Sequence, residues 1–147
     1  MKPHWVDATI ILRYLTKDDP ARAPACFELF NQAAQDRVTL TTTESIVAEV
    51  VLVLASRHGY QLPAGEIKKR LVPLLSLRSL KLAQRETLLR ALALFERYGL
   101  DFEACLTLAH LEQQHAEEFY SYDQDFDQVT QLKRLEPSSV SSSKKNG

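Results

Sequence analysis

Apolar positions along this chain recur with two different periods, and the switches between the periods mark its elements. His4 to Val6 reads as a short buried strand, and Ala8 to Leu15 follows with Ile10, Ile11, Leu12, Tyr14 and Leu15 in a pattern that suits a helix. Asp18-Asp19-Pro20 reads as a turn and a helix start, because proline suits the first helical position. From Ala21 to Gln35, the residues Ala25, Cys26, Leu29, Phe30 and Ala33 recur on one helical face. Val38 to Thr41 is a brief second strand. Thr41-x-x-Glu44 has the form of a capping box, opening a third helix that runs to about His58 and is ended by Gly59. That helix is apolar nearly all round from Ile46 to Ala55, which predicts a central position.

In the second half, Pro63 starts a helix whose exposed face carries Lys68, Lys69 and Arg70. Ser79 to Leu82 alternates as a third strand. Arg85 to Tyr98 is an amphipathic helix through Leu88, Leu89, Leu92 and Phe95, closed by Gly99. Asp101 caps a last helix to about Gln114, followed by strands at Phe119 to Tyr122 and Leu132 to Leu135. Strands alternating with helices predict an α/β fold with a parallel sheet covered on both faces. One domain is expected over residues 1–136. Residues 137–147 turn to serine, lysine, asparagine and glycine, cannot bury apolar area, and are expected to be disordered.

Composition narrows the function classes. The chain has 147 residues, 45% hydrophobic and 25% charged, enough for one ordinary core. Its net charge of −1 supplies no global basic field, so any contact with RNA must use a local patch or a bound cation. The longest apolar run, Val50 to Ala55, is far too short to span a bilayer, and the N-terminus lacks a secretory pattern. A cytoplasmic protein is expected. Cys26 and Cys105 stand apart among apolar residues and read as small buried hydrophobes.

The candidate chemistry lies in acids placed at the ends of apolar segments. Asp7 ends the first strand and Asp123 the fourth, and sites in open parallel sheets form outside the carboxyl ends of strands. Asp7 also suits a helix cap, and Asp123-Gln124-Asp125 also suits a turn. Glu49 sits among Val47, Ala48, Val50, Val51 and Leu52, where a solvent-facing role is hard to assign, so it is expected to be paired or to bind a metal. Glu44 is accounted for by the capping box. Asp101 is most simply a cap, with Ala104 three residues on and on the same face. The four histidines have no ligand spacing, and neither a phosphate-binding glycine loop nor a serine-histidine-acid order is visible. If the acidic segments meet, carboxylates suit Mg2+ or Mn2+, which can activate water for phosphodiester hydrolysis.

These residues resemble the PIN domain, and within it the VapC-type toxins of bacterial toxin–antitoxin pairs. Val6-Asp7-Ala8-Thr9 leading into Leu12-Arg13-Tyr14-Leu15 is similar to the family's opening strand and helix, with Thr9 where asparagine or serine is usual. Thr41 to Glu49 followed by Val53-Leu54 resembles the segment of the second acid, and Tyr122-Asp123-Gln124-Asp125-Phe126 the fourth acidic element. Leu100 to Leu106 is similar to the third, except that Ala104 stands at the position of the third catalytic aspartate and Asp101 matches a flanking residue. An introduced inactivating change and natural degeneracy both remain open as origins of Ala104.

The resemblance covers residues 4 to 136 and implies a three-layer α/β/α sandwich with a mostly parallel central sheet. It implies a Mg2+- or Mn2+-dependent endoribonuclease acting on tRNA or rRNA, with a catalytic set at Asp7, Glu49, Ala104 and Asp123. Asp7, Glu49 and Asp123 are the implied metal ligands, and Asp101 and Asp125 are additional acids. It further implies a cognate antitoxin as partner and a homodimer. Arg13, Lys17 and Arg22 are candidates for RNA phosphate contact, against a plainer reading as a solvated helix end. A degenerate PIN module that only binds RNA or an antitoxin is the alternative that Ala104 favours. A phosphotransfer domain with Asp7 as acceptor is disfavoured, since Phe119 to Phe126 contains no lysine.

Overall fold

The computed structural model describes residues 2–138. The expected tail therefore lies, from residue 139 onward, outside the described residues. Strand β1 (His4–Trp5) leads into α1 (Ala8–Thr16) and α2 (Ala23–Ala34). Strand β2 (Leu40–Thr41) leads into α3 (Glu44–Ala55) and α4 (Ala64–Leu75), and β3 (Leu80–Lys81) into α5 (Arg85–Tyr98) and α6 (Phe102–Gln113). Strand β4 (Glu118–Tyr120), a 3-10 turn over Gln124–Gln128 and β5 (Lys133–Leu135) complete the chain. All five expected strands form, in the mixed α/β arrangement expected. They form a three-stranded and a two-stranded sheet, both parallel, within two units split after Ala109.

In the first unit the sheet order is β1-β2-β3. Its register puts His4, Leu40 and Leu80 in one row and Trp5, Thr41 and Lys81 in the next. Successive strand residues face opposite sides, so Leu40 and Leu80 are buried in the core while Trp5 and Lys81 are exposed. Helix α1 packs on α2 and α3, α3 on α4, and α4 on α5. Their inward faces supply Ile11, Val47, Val50, Leu54, Ile67, Leu71, Leu88 and Leu92, all essentially without solvent contact. In the second unit, β4 pairs with β5, and Phe119 meets Phe126 edge-to-face at 5.0 Å. Arg134 binds Asp127 at 2.8 Å, Glu136 at 2.6 Å and the Ser121 carbonyl at 2.8 Å.

Several helix ends differ from the pattern read in the sequence. Helix α3 is capped by Thr43, whose hydroxyl accepts from Ile46 N at 3.1 Å. The Thr41 hydroxyl instead donates to the Lys81 carbonyl at 2.8 Å, because Thr41 is still a strand residue bound to its neighbour. Helix α2 starts at Ala23 with Pro24 in its first turn, while Asp19 Oδ1 accepts from Ala21 N and Arg22 N and holds Pro20 in the preceding turn. Helix α3 stops at Ala55, short of His58. The chain folds back there, with Tyr60 N on the Val53 carbonyl and Leu62 N on that of Leu54. Gly59 is needed in that return, since a Cβ there would lie 2.0 Å from Val53 O. Gly99 closes α5 as expected, at φ +68° with its N–H on the Phe95 carbonyl.

Helix α3 is also less central than its composition predicted. Val47, Val50, Val51 and Leu54 are fully buried, but Ser45, Glu49, Leu52 and Ala55 form a solvent-facing stripe, and Leu52 is 67% exposed. Among the described residues no helix is long and apolar enough to cross a membrane. Both cysteines are free and buried, as expected.

Candidate acidic site

The carboxyl end of β1 is fixed from two sides. Val6 N donates to the Thr41 carbonyl at 3.0 Å, and the buried Thr42 hydroxyl donates to the Val6 carbonyl at 3.0 Å. The next residue, Asp7, is exposed and caps α1. Its Oδ1 accepts from Thr9 N at 3.0 Å, from the Thr9 hydroxyl at 2.6 Å and from Ile10 N at 3.3 Å. Its Oδ2 receives no hydrogen bond among the described residues. One carboxylate can therefore cap the helix with one oxygen and offer the other to a ligand. The Thr9 hydroxyl, aided by the two backbone donors, holds the Asp7 carboxyl below the usual carboxylate range, so it is ionised at neutral pH. Thr9 thereby engages one carboxylate oxygen together with the helix terminus and leaves the other open.

Glu49 lies on the exposed stripe of α3 and makes no hydrogen bond or ion pair among the described residues. The expectation that it could not face solvent is corrected. An apolar composition did not mean burial on every side, because α3 presents only one face to the core and leaves Leu52 beside Glu49 in solvent. Nearby, Ala48, Leu52 and Ala55 of α3 line a groove with Phe95, Asp101 and Glu103. This places the start of α6 against the solvent-side edge of α3.

Ala104 is the third residue of α6 and half-buried. Asp101 immediately precedes the helix, with Cys105 N on its carbonyl at 3.1 Å. Burial, with the Asp101 charge adding to it, pushes the Cys105 thiol up to about 11. Asp123 is exposed at the start of the 3-10 turn, where its Oδ1 accepts from Asp125 N at 2.9 Å, so the turn reading describes its local role. Asp125 is exposed. Asp7, Glu49, Asp101 and Ala104 belong to the first unit, Asp123 and Asp125 to the second.

The three basic candidates are occupied locally. Arg13 Nε lies 3.5 Å from Asp19 Oδ2, and Arg22 lies 3.8 Å from the same oxygen. Lys17 sits 5.5 Å over the Phe27 ring. Asp19 was missed as their counter-charge, although Asp18-Asp19 between the two arginines was visible in the sequence. Reading the sequence also missed the exposed Trp5, whose position at the end of a strand and two residues before Asp7 was the available signal.

All the acidic donors here are carboxylate oxygens, the chemistry that suits a hard divalent cation. Among the described residues, however, no three His, Cys, Asp or Glu side chains are grouped to hold one. Comparison with curated proteins returns no match. The family model of the PIN domain matches residues 5–132. PIN domains are generally nucleases and generally use divalent metals, and with that match spanning nearly all of the folded sequence, the chain belongs to the PIN domain family.

Proposed function

We propose that this chain is a VapC-type endoribonuclease toxin of a toxin–antitoxin pair, dependent on Mg2+ or Mn2+ and weakened by Ala104. The observation that carries this reading is Asp7. It follows the first strand of a PIN domain and caps α1, is ionised, and keeps one carboxylate oxygen uncommitted. Glu49, exposed and unpaired among the described residues, and Asp123, with Oδ1 alone engaged, are the other carboxylates that the PIN resemblance implies as ligands. Asp7, Glu49 and Asp123 would hold a divalent cation through carboxylate oxygens, and when bound it would supply an acidified water and charge neutralisation for phosphodiester hydrolysis. The chain's own contribution is to keep Asp7 ionised through Thr9, to hold its backbone through Thr42, and to present Glu49 without a competing cation.

The helix N-terminus around residue 104 favours an anion, and alanine leaves that position empty of charge. The proposed partners are tRNA or rRNA as substrate, a cognate antitoxin, and a second copy of the chain, in the cytoplasm. The second reading, a PIN module that binds RNA or an antitoxin without cleaving, is favoured by Ala104 itself. Expression separates the two. Under the first reading, Ala104→Asp arrests growth and an additional Asp7→Asn restores it. Under the second, both variants grow like the parent.

A further inference from the structure

We infer that the depression at the carboxyl ends of β1, β2 and β3 is a seat for one unpaired RNA nucleotide. Its base stacks on Trp5 and its phosphate meets Lys81. The choice of RNA rests on the nuclease reading above. The depression is lined by Trp5, Thr41, Thr43, Glu44, Lys81 and Gln84. Trp5, Thr41 and Lys81 are register partners across the three strands, so they share one face of the sheet.

Trp5 is 68% exposed, although tryptophan is the side chain that gains most from burial. Lys81 is exposed and makes no ion pair among the described residues. Gln84 precedes α5 and gives it no side-chain cap, so its side chain is not committed to the helix terminus. Thr87 donates to Gln84 Oε1 at 3.4 Å, which leaves the amide nitrogen as the group available to a base edge.

An aromatic face, a cation and an amide in one hollow are what a splayed-out nucleotide requires. A protein interface fits less well. Phe27 and Leu52, the other exposed large apolar side chains of the first unit, do not line this hollow, so Trp5 is its one large exposed apolar contact.

The seat also adjoins the candidate acid. The backbone stays extended through Asp7, at φ −104° and ψ −175°, and Val6 between the two is buried. Residues 5 and 7 therefore project to the same side, separated by about 7 Å of chain. A base held on Trp5 brings the neighbouring phosphodiester toward Asp7, so Trp5 is a specificity-determining residue for an unpaired nucleotide next to the cut.

Trp5 is the chain's one tryptophan, so its fluorescence reports on the seat directly. The full chain is titrated in EDTA with single-stranded decamers of oligo(A) and oligo(U) RNA and with a duplex of equal length. Affinity is read in parallel from the anisotropy of labelled RNA. Saturable quenching by the single strands, weaker with duplex, is expected. Trp5→Ala should weaken binding about tenfold and Trp5→Phe should largely restore it. Lys81→Gln should lower the salt slope by about 0.7. Labelled RNA that binds without changing Trp5 fluorescence, or equally well to Trp5→Ala, overturns the seat. A fluorescence change that follows protein concentration without RNA also overturns it, marking a contact between copies. Manganese-dependent cleavage by Ala104→Asp separates the two claims. Cleavage with no Trp5 response removes the seat alone, and quenching with no cleavage removes the nuclease reading alone.

Discussion

Asp7 shows how one side chain can satisfy a structural and a chemical demand together. Its Oδ1 gathers three donors at the start of α1, and its other oxygen is left open. Asparagine caps helices as well as aspartate does, so Asp7→Asn should retain stability while losing the ionised ligand. Asp7→Ala should cost about 1 kcal/mol in denaturant unfolding. Equal unfolding midpoints for the two variants would mean that the cap does not matter. Acid tests the same contacts. The Thr9 hydroxyl lowers Asp7, the Tyr60 hydroxyl lowers Asp18, and the Ser79 hydroxyl with Arg78 lowers Asp36. A carboxyl depressed in the folded state stabilises it above the ordinary value of about 3.9, and that contribution is lost as pH falls through the folded value. The melting temperature should therefore hold from pH 7 to about 5 and fall below about pH 4, less steeply in Asp36→Asn. The local role of Asp7 was legible because a cap needs only its own helix. Its free oxygen was not, because Thr9 Oγ1 chooses between the two oxygens in three dimensions.

At the scale of elements, the sequence showed more of what forms than of how it is placed. Five strands and six helices follow from periodicity and from Gly99, Pro63 and Asp101. The capping residue of α3 was misread by two positions, because Thr41, Thr42 and Thr43 look alike in sequence and differ only in their partners. Those partners are the Lys81 carbonyl, the Val6 carbonyl and Ile46 N. The exposure of Glu49 was not legible either, since the apolar stripe through Leu52 hides the solvent face of α3 in the one-dimensional pattern. The two faces should respond differently to truncation. Leu54→Ala, on the fully buried side, should cost about 2–5 kcal/mol. Leu52→Ala should stay within about 0.5 kcal/mol. A large loss at Leu52 would show that this stripe is covered in solution. Gly59→Ala should destabilise clearly, because the added Cβ meets Val53 O.

For the whole molecule, the family was legible because four short motifs keep their order over most of the chain, and the PIN match spans residues 5–132. The ligand set was not legible in the same way. Acids far apart in sequence converge only through the packing of whole elements, and among the described residues no group of three is gathered. For Arg13 and Arg22 the plainer reading as a solvated helix end gains a counter-charge at Asp19, whose pairing with them depends on the turn at Asp18-Asp19-Pro20. Both cysteines are buried, and Cys105 has its thiol raised, so Ellman's reagent at pH 8 should modify neither until the chain unfolds. Fast labelling of the native protein would contradict the described core. The central claim is a PIN ribonuclease held back by one missing carboxylate. Its most direct test is the rate of total RNA cleavage by the parent chain, by Ala104→Asp and by Ala104→Asp with Asp7→Asn, each in Mn2+ and in EDTA. Little cleavage is expected from the parent, with a rise of about tenfold or more in Ala104→Asp that EDTA abolishes, and a return to the parent level in the double variant. Cleavage by the parent and Ala104→Asp at the same rate, unaffected by EDTA, would contradict the claim.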